Sequence, residues 1–314
     1  MMDIRHLRYF LMVAEEGHIT RAAERLGIQQ PPLSQMIKAL EIELDVQLFR
    51  RKPRGVELTH AGLALKGDAE AILSQVAEAR AKVDRTARGE QGTIVVGFTS
   101  SAPFHPLLPR LIRRYREQYP LVTLTLEEHG TSELVDGLQA EVIDAAFIRS
   151  PVSDQQGLAV HALVVERMFA ALPNNHPLAL AESGGAPPPI ALEALASEPF
   201  ILYRRHTGPG FYDLIIAACN QAGFTPNIAQ EAPRILSTLN LVAAGLGVTL
   251  TPESLQGLHM DGVAFRPIQS DSVLTAPLNL ACRNADHSAA ARQFVAMARQ
   301  MAHSFHQDGD CQSP

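Results

Sequence analysis

The first sixty residues constrain the fold most, because Gly17, Gly27 and the pair Pro31-Pro32 cut them at fixed places. Leu7, Phe10, Leu11 and Ala14 repeat at helical spacing before Gly17, which ends that helix. Thr20 is placed to cap a second helix, Arg21–Leu26, and its Ala22 and Ala23 are small enough for close packing. Gly27 falls where a left-handed C-cap is expected. Pro31 and Pro32 open a third helix, since a first helical turn needs no backbone donor. That helix runs to about Leu44. Leu33, Ile37, Leu40 and Leu44 form its apolar stripe, and Ser34, Gln35 and Lys38 face the other way. Two short helices joined by a tight turn, the second with short polar groups outward, suit insertion into a DNA major groove. A plain three-helix domain with a solvated face is the alternative.

The next segment favours the nucleic-acid reading. Gln47–Thr59 reads as strand, basic turn, strand: a wing carrying Arg50-Arg51-Lys52-Pro53-Arg54. Its cations could meet phosphates or reach the minor groove. Thr59 then caps a helix predicted to run to about Arg88. Ala61, Leu65, Ala69, Ile72, Val76, Ala79 and Val83 make one narrow stripe along it, which asks for a partner helix.

The net charge of -6 hides a division. Residues 1–60 hold nine Lys/Arg against eight Asp/Glu, whereas residues 91–314 hold thirteen against twenty. A near-neutral head with a basic loop and an acidic body suits a DNA-binding module on a separate domain. No run of about eighteen apolar residues marks a membrane span, and the N-terminus lacks the apolar region of an export signal. Cys219, Cys282 and Cys311 are scattered, which implies a reducing cytoplasm and neither disulfide framework nor metal spacing.

Gly89–Gly92 reads as a short hinge, and beyond it strands and helices alternate. Strands are predicted at Thr93–Phe98, Val122–Leu126, Ile143–Ile148, Arg167–Leu172, Phe200–Tyr203, Val248–Thr251 and Leu278–Cys282. Helices are predicted at Leu107–Gln118, Leu134–Ala140, Tyr212–Ala222, Ile235–Ala244 and Ser288–His303. Ala181–Pro189 reads as a loop. The alternation implies an α/β fold with a largely parallel sheet, in two subdomains with a ligand cleft between them. Thr99–Ser101, Thr131-Ser132 and Thr207–Gly210 each precede a helix, where hydroxyls and free backbone N–H groups bind anions. Plain N-capping is the alternative for those hydroxyls. Ser100 is a geometric candidate beside Ser101. Arg149 ends a buried strand, where it could pair with a ligand carboxylate or with an acid of the protein itself.

The chain resembles the LysR-type bacterial transcriptional regulators. The likeness runs through Arg5–Phe10, Ala22–Leu26, Gln30-Pro-Pro-Leu-Ser-Gln35, Leu40-Glu41, Leu48–Arg51 and Leu58–Gly62, and continues less tightly beyond. It implies a winged helix-turn-helix DNA-binding domain at 1–58, a linker and dimerisation helix at 59–88, and an effector-binding domain at 89–314. That last domain would resemble the periplasmic solute-binding proteins. Its subdomain I would span about 92–162 and 268–304, and subdomain II about 163–267, with crossings near His161–Val165 and Arg266–Ile268. By the same match Gln30, Pro31, Pro32, Ser34, Gln35, Lys38, Arg51 and Arg54 are the DNA-contact residues. Many relatives carry arginine at the position of Gln35. The assembly implied is a homotetramer built as a dimer of dimers on promoter DNA, with RNA polymerase a further candidate partner.

Within the family the body is most similar to regulators of aromatic-compound degradation, which sense muconate-type diacids. Gly97-Phe98, Gly130-Thr131, Ile143–Arg149, Tyr203, Pro209–Phe211 and Leu241–Val248 carry that likeness. It assigns Ser101, Thr131, Pro209 and Phe211 to the effector. A second arginine-based acid site of some relatives is not implied, because one of its positions is Val164. The segment Arg204–His206 departs from them.

Catalysis has no support: no nucleophile-elbow, phosphate-loop, dinucleotide or His-Glu-x-x-His motif occurs. His303 and His306 could pair on a metal, but a mobile tail is the simpler reading, so neither metal nor cofactor is expected. The expectation is a sequence-specific regulator controlled by a small anionic effector. The competing reading is a cytoplasmic solute-binding or catalytic α/β domain with a non-DNA interaction head.

Overall fold

The computed structural model describes residues 1–149, 157–179, 188–205, 209–269, 274–285 and 288–310, with residues 209 and 306–310 in backbone only. Two compact units emerge, Met1–Arg85 and Thr86–Pro314.

The first unit begins with α1 (Ile4–Glu16), α2 (Ile19–Leu26) and α3 (Gln30–Leu44). Gly17 and Gly27 close α1 and α2 at φ 60° and 67°, a conformation that costs glycine little. The expected Thr20 cap is not used. The helix starts earlier, at Ile19, and the His18 ring accepts the Thr20 amide. Leu7, Phe10 and Val13 of α1, Ala22 and Ala23 of α2, and Leu33, Ile37 and Leu40 of α3 make the core. Leu44 packs against its edge, partly exposed. Each of the larger side chains contributes about 1.5–3 kcal/mol by leaving water. An antiparallel hairpin follows, β1 (Phe49–Lys52) and β2 (Gly55–Leu58), with Pro53-Arg54 at its tip. The Val56 amide donates to the Gly17 carbonyl at 2.8 Å, tying the hairpin to the end of α1. Thr59 caps α4 (His60–Ala87) as expected: its hydroxyl accepts the Gly62 amide at 3.0 Å and donates to the Gln47 carbonyl at 2.6 Å.

The second unit contains β3 (Gln91–Phe98), α5 (Leu107–Gln118), β4 (Leu121–Glu128), α6 (Thr131–Gln139), β5 (Ala145–Ile148), β6 (Leu158–Pro173) and β7 (Ile190–Ala191). Then come β8 (Pro199–Tyr203), α7 (Pro209–Gln221), β9 (Asn227–Ala232), α8 (Ile235–Ala243), β10 (Thr249–Pro252), β11 (Val263–Gln269), β12 (Thr275–Arg283) and α9 (Ala289–Asp310). Among the described residues the main sheet runs β4-β3-β5-β12-β6-β11-β7, with β10 also on β6, while β8 and β9 form a separate pair.

The largely parallel sheet expected from the sequence is in fact mixed. β3 pairs parallel with β4 and β5, but β12 and β6 pair antiparallel with each other. The cause is β6, which is one sixteen-residue strand rather than a short one at 167–172. Its Leu158–Arg167 portion pairs with β12 and its Met168–Pro173 portion with β10 and β11. The change of partner therefore comes after Arg167, later than His161–Val165. The expected hinge at Gly89–Gly92 is shorter than read, since Gln91 and Gly92 already belong to β3. Gly89, at φ 72°, lies so close to α9 that a Cβ would come within 2.5 Å of the Ala289 carbonyl carbon. Residues 181–187 of the expected Ala181–Pro189 loop lie outside the described residues, as do Cys311 and the side chain of His306. α9 continues through Asp310, well past His303 where the helix was expected to end.

Two cores flank β6. α5 and α9 cover the first, where Tyr115 packs edge-on against Phe294 (5.1 Å) and donates its hydroxyl to the Ala290 carbonyl at 2.9 Å. The second surrounds Phe200, Ile201, Ile215, Leu239 and Leu250.

Candidate DNA-contact face and effector cavity

α3 presents the side predicted from its sequence. Gln30, Pro31, Pro32, Gln35 and Lys38 are exposed and Ser34 half-buried, while the leucines face the core. On the wing, cross-strand geometry separates the cations. Arg50 and Lys52 both pair with Glu57, the former at 2.7 Å. These two hydrogen bonds hold the Glu57 carboxyl at about 2, well below its ordinary value. Arg51 points to the other face and Arg54 sits at the tip, both exposed. Among the described residues Lys38, Arg51 and Arg54 have no ion-pair partner, so their charge is available to a polyanion. α4 packs on the core through Ala61, Leu65, Ala69 and Ile72, but farther along Val83 is 68% exposed.

In the second unit the ends of strands and the starts of helices enclose a cavity of about 150 Å³. Thr99, Ser100 and Ser101 follow β3, Gly130 and Thr131 begin α6, and Arg149 follows β5. Tyr203 ends β8, Phe211 lies in the first turn of α7, and Pro233 and Arg234 precede α8. An apolar cavity of about this size accepts one benzene-sized molecule. The sites read from the sequence thus come together: Ser100, Ser101, Thr131, Arg149 and Phe211 all line it. The Pro209 side chain lies outside the described residues.

The polar groups are arranged as follows. Ser101 and Thr131 are buried, and Ser100 Oγ accepts the Ile235 amide at 3.4 Å. The first N–H groups of α6 have no intrahelical acceptor. Glu133 reaches back to take the Gly130 amide at 2.8 Å. Arg149 is 3% exposed and realises the second of its two alternatives: its Nη1 pairs with Glu166 of β6, whose other oxygen accepts the Ser254 amide at 2.9 Å. Burial pulls the guanidinium below its ordinary value, and Glu166 only partly offsets that. The pairing does not remove Arg149 from the cavity wall. Arg234 Nη1 donates to Glu128 Oε1 at 2.6 Å.

Sequence reasoning missed His129, Glu133, Pro233, Arg234 and the Glu166 partner. Pro233 and Arg234 obey the same rule as the sites it found, lying between a strand end and a helix start. They were hidden because β9, Asn-Ile-Ala-Gln-Glu-Ala, is polar and almost wholly exposed. Nothing local marks Glu166, which lies 17 residues from Arg149.

Comparison with known proteins agrees with this geometry. Residues 4–63 match the bacterial regulatory helix-turn-helix protein, lysR family, and residues 87–302 the LysR substrate binding domain. The chain is 38% identical over 296 residues to the HTH-type transcriptional regulator AlsR of Bacillus subtilis, covering 94% of each chain. It is 35% identical over 287 residues to the HTH-type transcriptional regulator BenM of Acinetobacter baylyi, covering 91% of this chain and 92% of that one. Full-length CbnR, solved in complex with its target DNA, superposes with a TM-score of 0.80 at 29% identity, covering 96% of this chain and all of that one. An exposed polar face on α3, a basic wing and a cavity edged by hydroxyls in a second unit thus coincide with matches along nearly the whole length, and the chain belongs to the LysR family of DNA-binding transcriptional regulators with a substrate-binding effector domain.

Proposed function

We propose that the regulator binds its promoter through Gln30, Pro31, Pro32, Ser34, Gln35 and Lys38 of α3 with Arg51 and Arg54 of the wing. Its output is set by a small carboxylate held at Ser100, Ser101, Thr131, Arg149, Pro209 and Phe211. One observation carries the effector half. The cavity is ringed by hydroxyls and helix starts, while its two arginines, Arg149 and Arg234, already pair with acids of the protein. Such a site favours one small anion placed by hydrogen bonds. The resemblance to regulators of aromatic-compound degradation supports an aromatic-derived acid. The exposed stretch of α4 around Val83 supports helix pairing into dimers, and the resemblance extends this to a dimer of dimers acting in the cytoplasm. Heads reading two half-sites about one helical turn apart gain specificity from that pairing.

Thermal-shift titration with aromatic acids and their ring-opened diacids tests the ligand class. A gel shift on the chain's own upstream DNA tests the response. Thr131→Val is expected to blunt the effect of the acid on the shifted band while sparing DNA binding. A variant that responds like the wild type removes Thr131 from the site.

A further inference from the structure

The wing hairpin has two unlike faces. Its register sets Phe49 opposite Leu58, Arg50 opposite Glu57 and Arg51 opposite Val56. Opposed residues share a face, and successive residues alternate between faces. Phe49, Val56 and Leu58 therefore form an inner face, which packs on the core of the head, with the Phe49 ring 5.3 Å from that of Phe10. Arg51 lies on the same side, exposed, toward the tip. Arg50, Lys52 and Glu57 make the outer face, turned away from the helices.

Glu57 sits between the two outer cations. Arg50 Nη2 donates to its Oε1 at 2.7 Å, and Lys52 Nζ pairs with its Oε2. Arg50 and then Lys52 hold the carboxyl far below its ordinary value, so it stays charged at neutral pH. One acid thus engages both cations of the outer face, while among the described residues no acid pairs with Arg51 or Arg54. Exposed pairs of this kind add little to stability. Their effect is on the field: the outer face loses about one unit of positive charge and the inner side loses none.

This asymmetry bears on which DNA is held. Affinity for DNA of any sequence comes almost wholly from cations meeting phosphate in whatever pose they find, whereas base contacts fix one pose on an operator. A duplex seated on α3, as proposed above, meets the tip and inner side of the wing. The outer face reaches phosphate only in other poses.

We propose that Glu57 determines the specificity of DNA binding: it keeps Arg50 and Lys52 off phosphate in poses that do not seat α3, and so widens the gap between operator and other DNA. Glu57 itself touches no DNA. It is a positioning residue that acts through the two cations. The inference rests on the wing contacts assigned to Arg51 and Arg54 in the proposed function.

The test uses full-length protein, the chain's own upstream DNA, and a scrambled duplex of the same length and composition, each titrated at several salt concentrations. Glu57→Gln should steepen the slope of log K against log salt on the scrambled duplex by about 0.9 for each outer cation that then meets phosphate, up to about 1.8 for each head bound. The slope on the upstream DNA should barely change, so the ratio of the two affinities falls. Arg50→Gln with Lys52→Gln should leave both wild-type slopes as they are. Added to Glu57→Gln, that pair should restore the wild-type slope on the scrambled duplex, which a merely structural Glu57 would not produce.

If Glu57→Gln steepens neither slope, or both equally, Glu57 does not set specificity and the proposal is overturned. If the Arg50 and Lys52 changes flatten the wild-type slopes, those cations already meet phosphate and it is overturned too. Arg51→Ala separates this from failure of the reading beneath it: unchanged slopes on both duplexes would take the wing off the DNA, and the inference would fall with the wing contacts.

Discussion

Arg51 and Arg149 carry the same group in opposite settings. On the wing Arg51 is exposed, and no acid of the described residues meets it. In the second unit Arg149 is 3% exposed, closed against Glu166, and its neighbours contribute further acceptors: the Ala276 and Ser101 carbonyls lie at 3.4 Å. Charge left unspent on the wing suits the long polyanion proposed for it, which releases counterions wherever it is neutralised. The cavity spends its charge internally, because a bare buried cation would cost more than a small ligand returns. Affinity in the head should therefore depend on salt, and recognition in the cavity on hydrogen-bond geometry.

The sharpest way to break this contrast is to remove one partner of the buried pair. Glu166→Gln leaves Arg149 uncompensated and should destabilise the second unit by roughly 3–5 kcal/mol. Denaturant unfolding followed by Tyr fluorescence reads this directly, and a loss under 1 kcal/mol, taken as about the worth of a surface pair, would put Arg149 in the same class as the wing arginines.

A smaller effect is expected at the head. Lys38→Ala and Arg51→Ala should each weaken operator binding and reduce the slope of log K against log salt by about one. Folding stability should change little, since neither side chain is buried or paired. A slope that stays constant shows that the cation does not touch phosphate.

The smallest effect belongs to Arg234→Gln. Its bond to Glu128 is short, but both side chains are more than two-fifths exposed, so solvent screening limits it to under about 1 kcal/mol. Melting temperature should barely move. A drop as large as that of Glu166→Gln would mean that the surface geometry matters as much as the buried pair, and the contrast between the two settings would dissolve.

Much of this was legible in the chain itself. The breaks at Gly17, Gly27 and Pro31-Pro32 fixed three helices, since left-handed caps and donor-free first turns are local demands. α5 was read to the residue because its apolar stripe is complete in sequence. The Thr20 cap failed where a histidine ring, a less common cap, did the same work two residues earlier. β11 was not read as a strand because it carries Pro267 in its middle. Of the cavity, the hydroxyl-bearing loops were found by their position before helices, whereas Arg234 depended on a polar strand that gave no signal.

The amino-acid order alone determined the elements whose causes lie within a few residues: the helix-turn-helix, the basic hairpin, the Thr59 cap and the loops that open helices beside the cavity. Only the tertiary structure decided which charges are free. Whether Arg149 faces an acid of the protein, and whether Arg234 meets Glu128, depend on residues brought together from separate elements of the second unit. Electrostatic energy is set by distance and burial in space, and neither is written in local sequence.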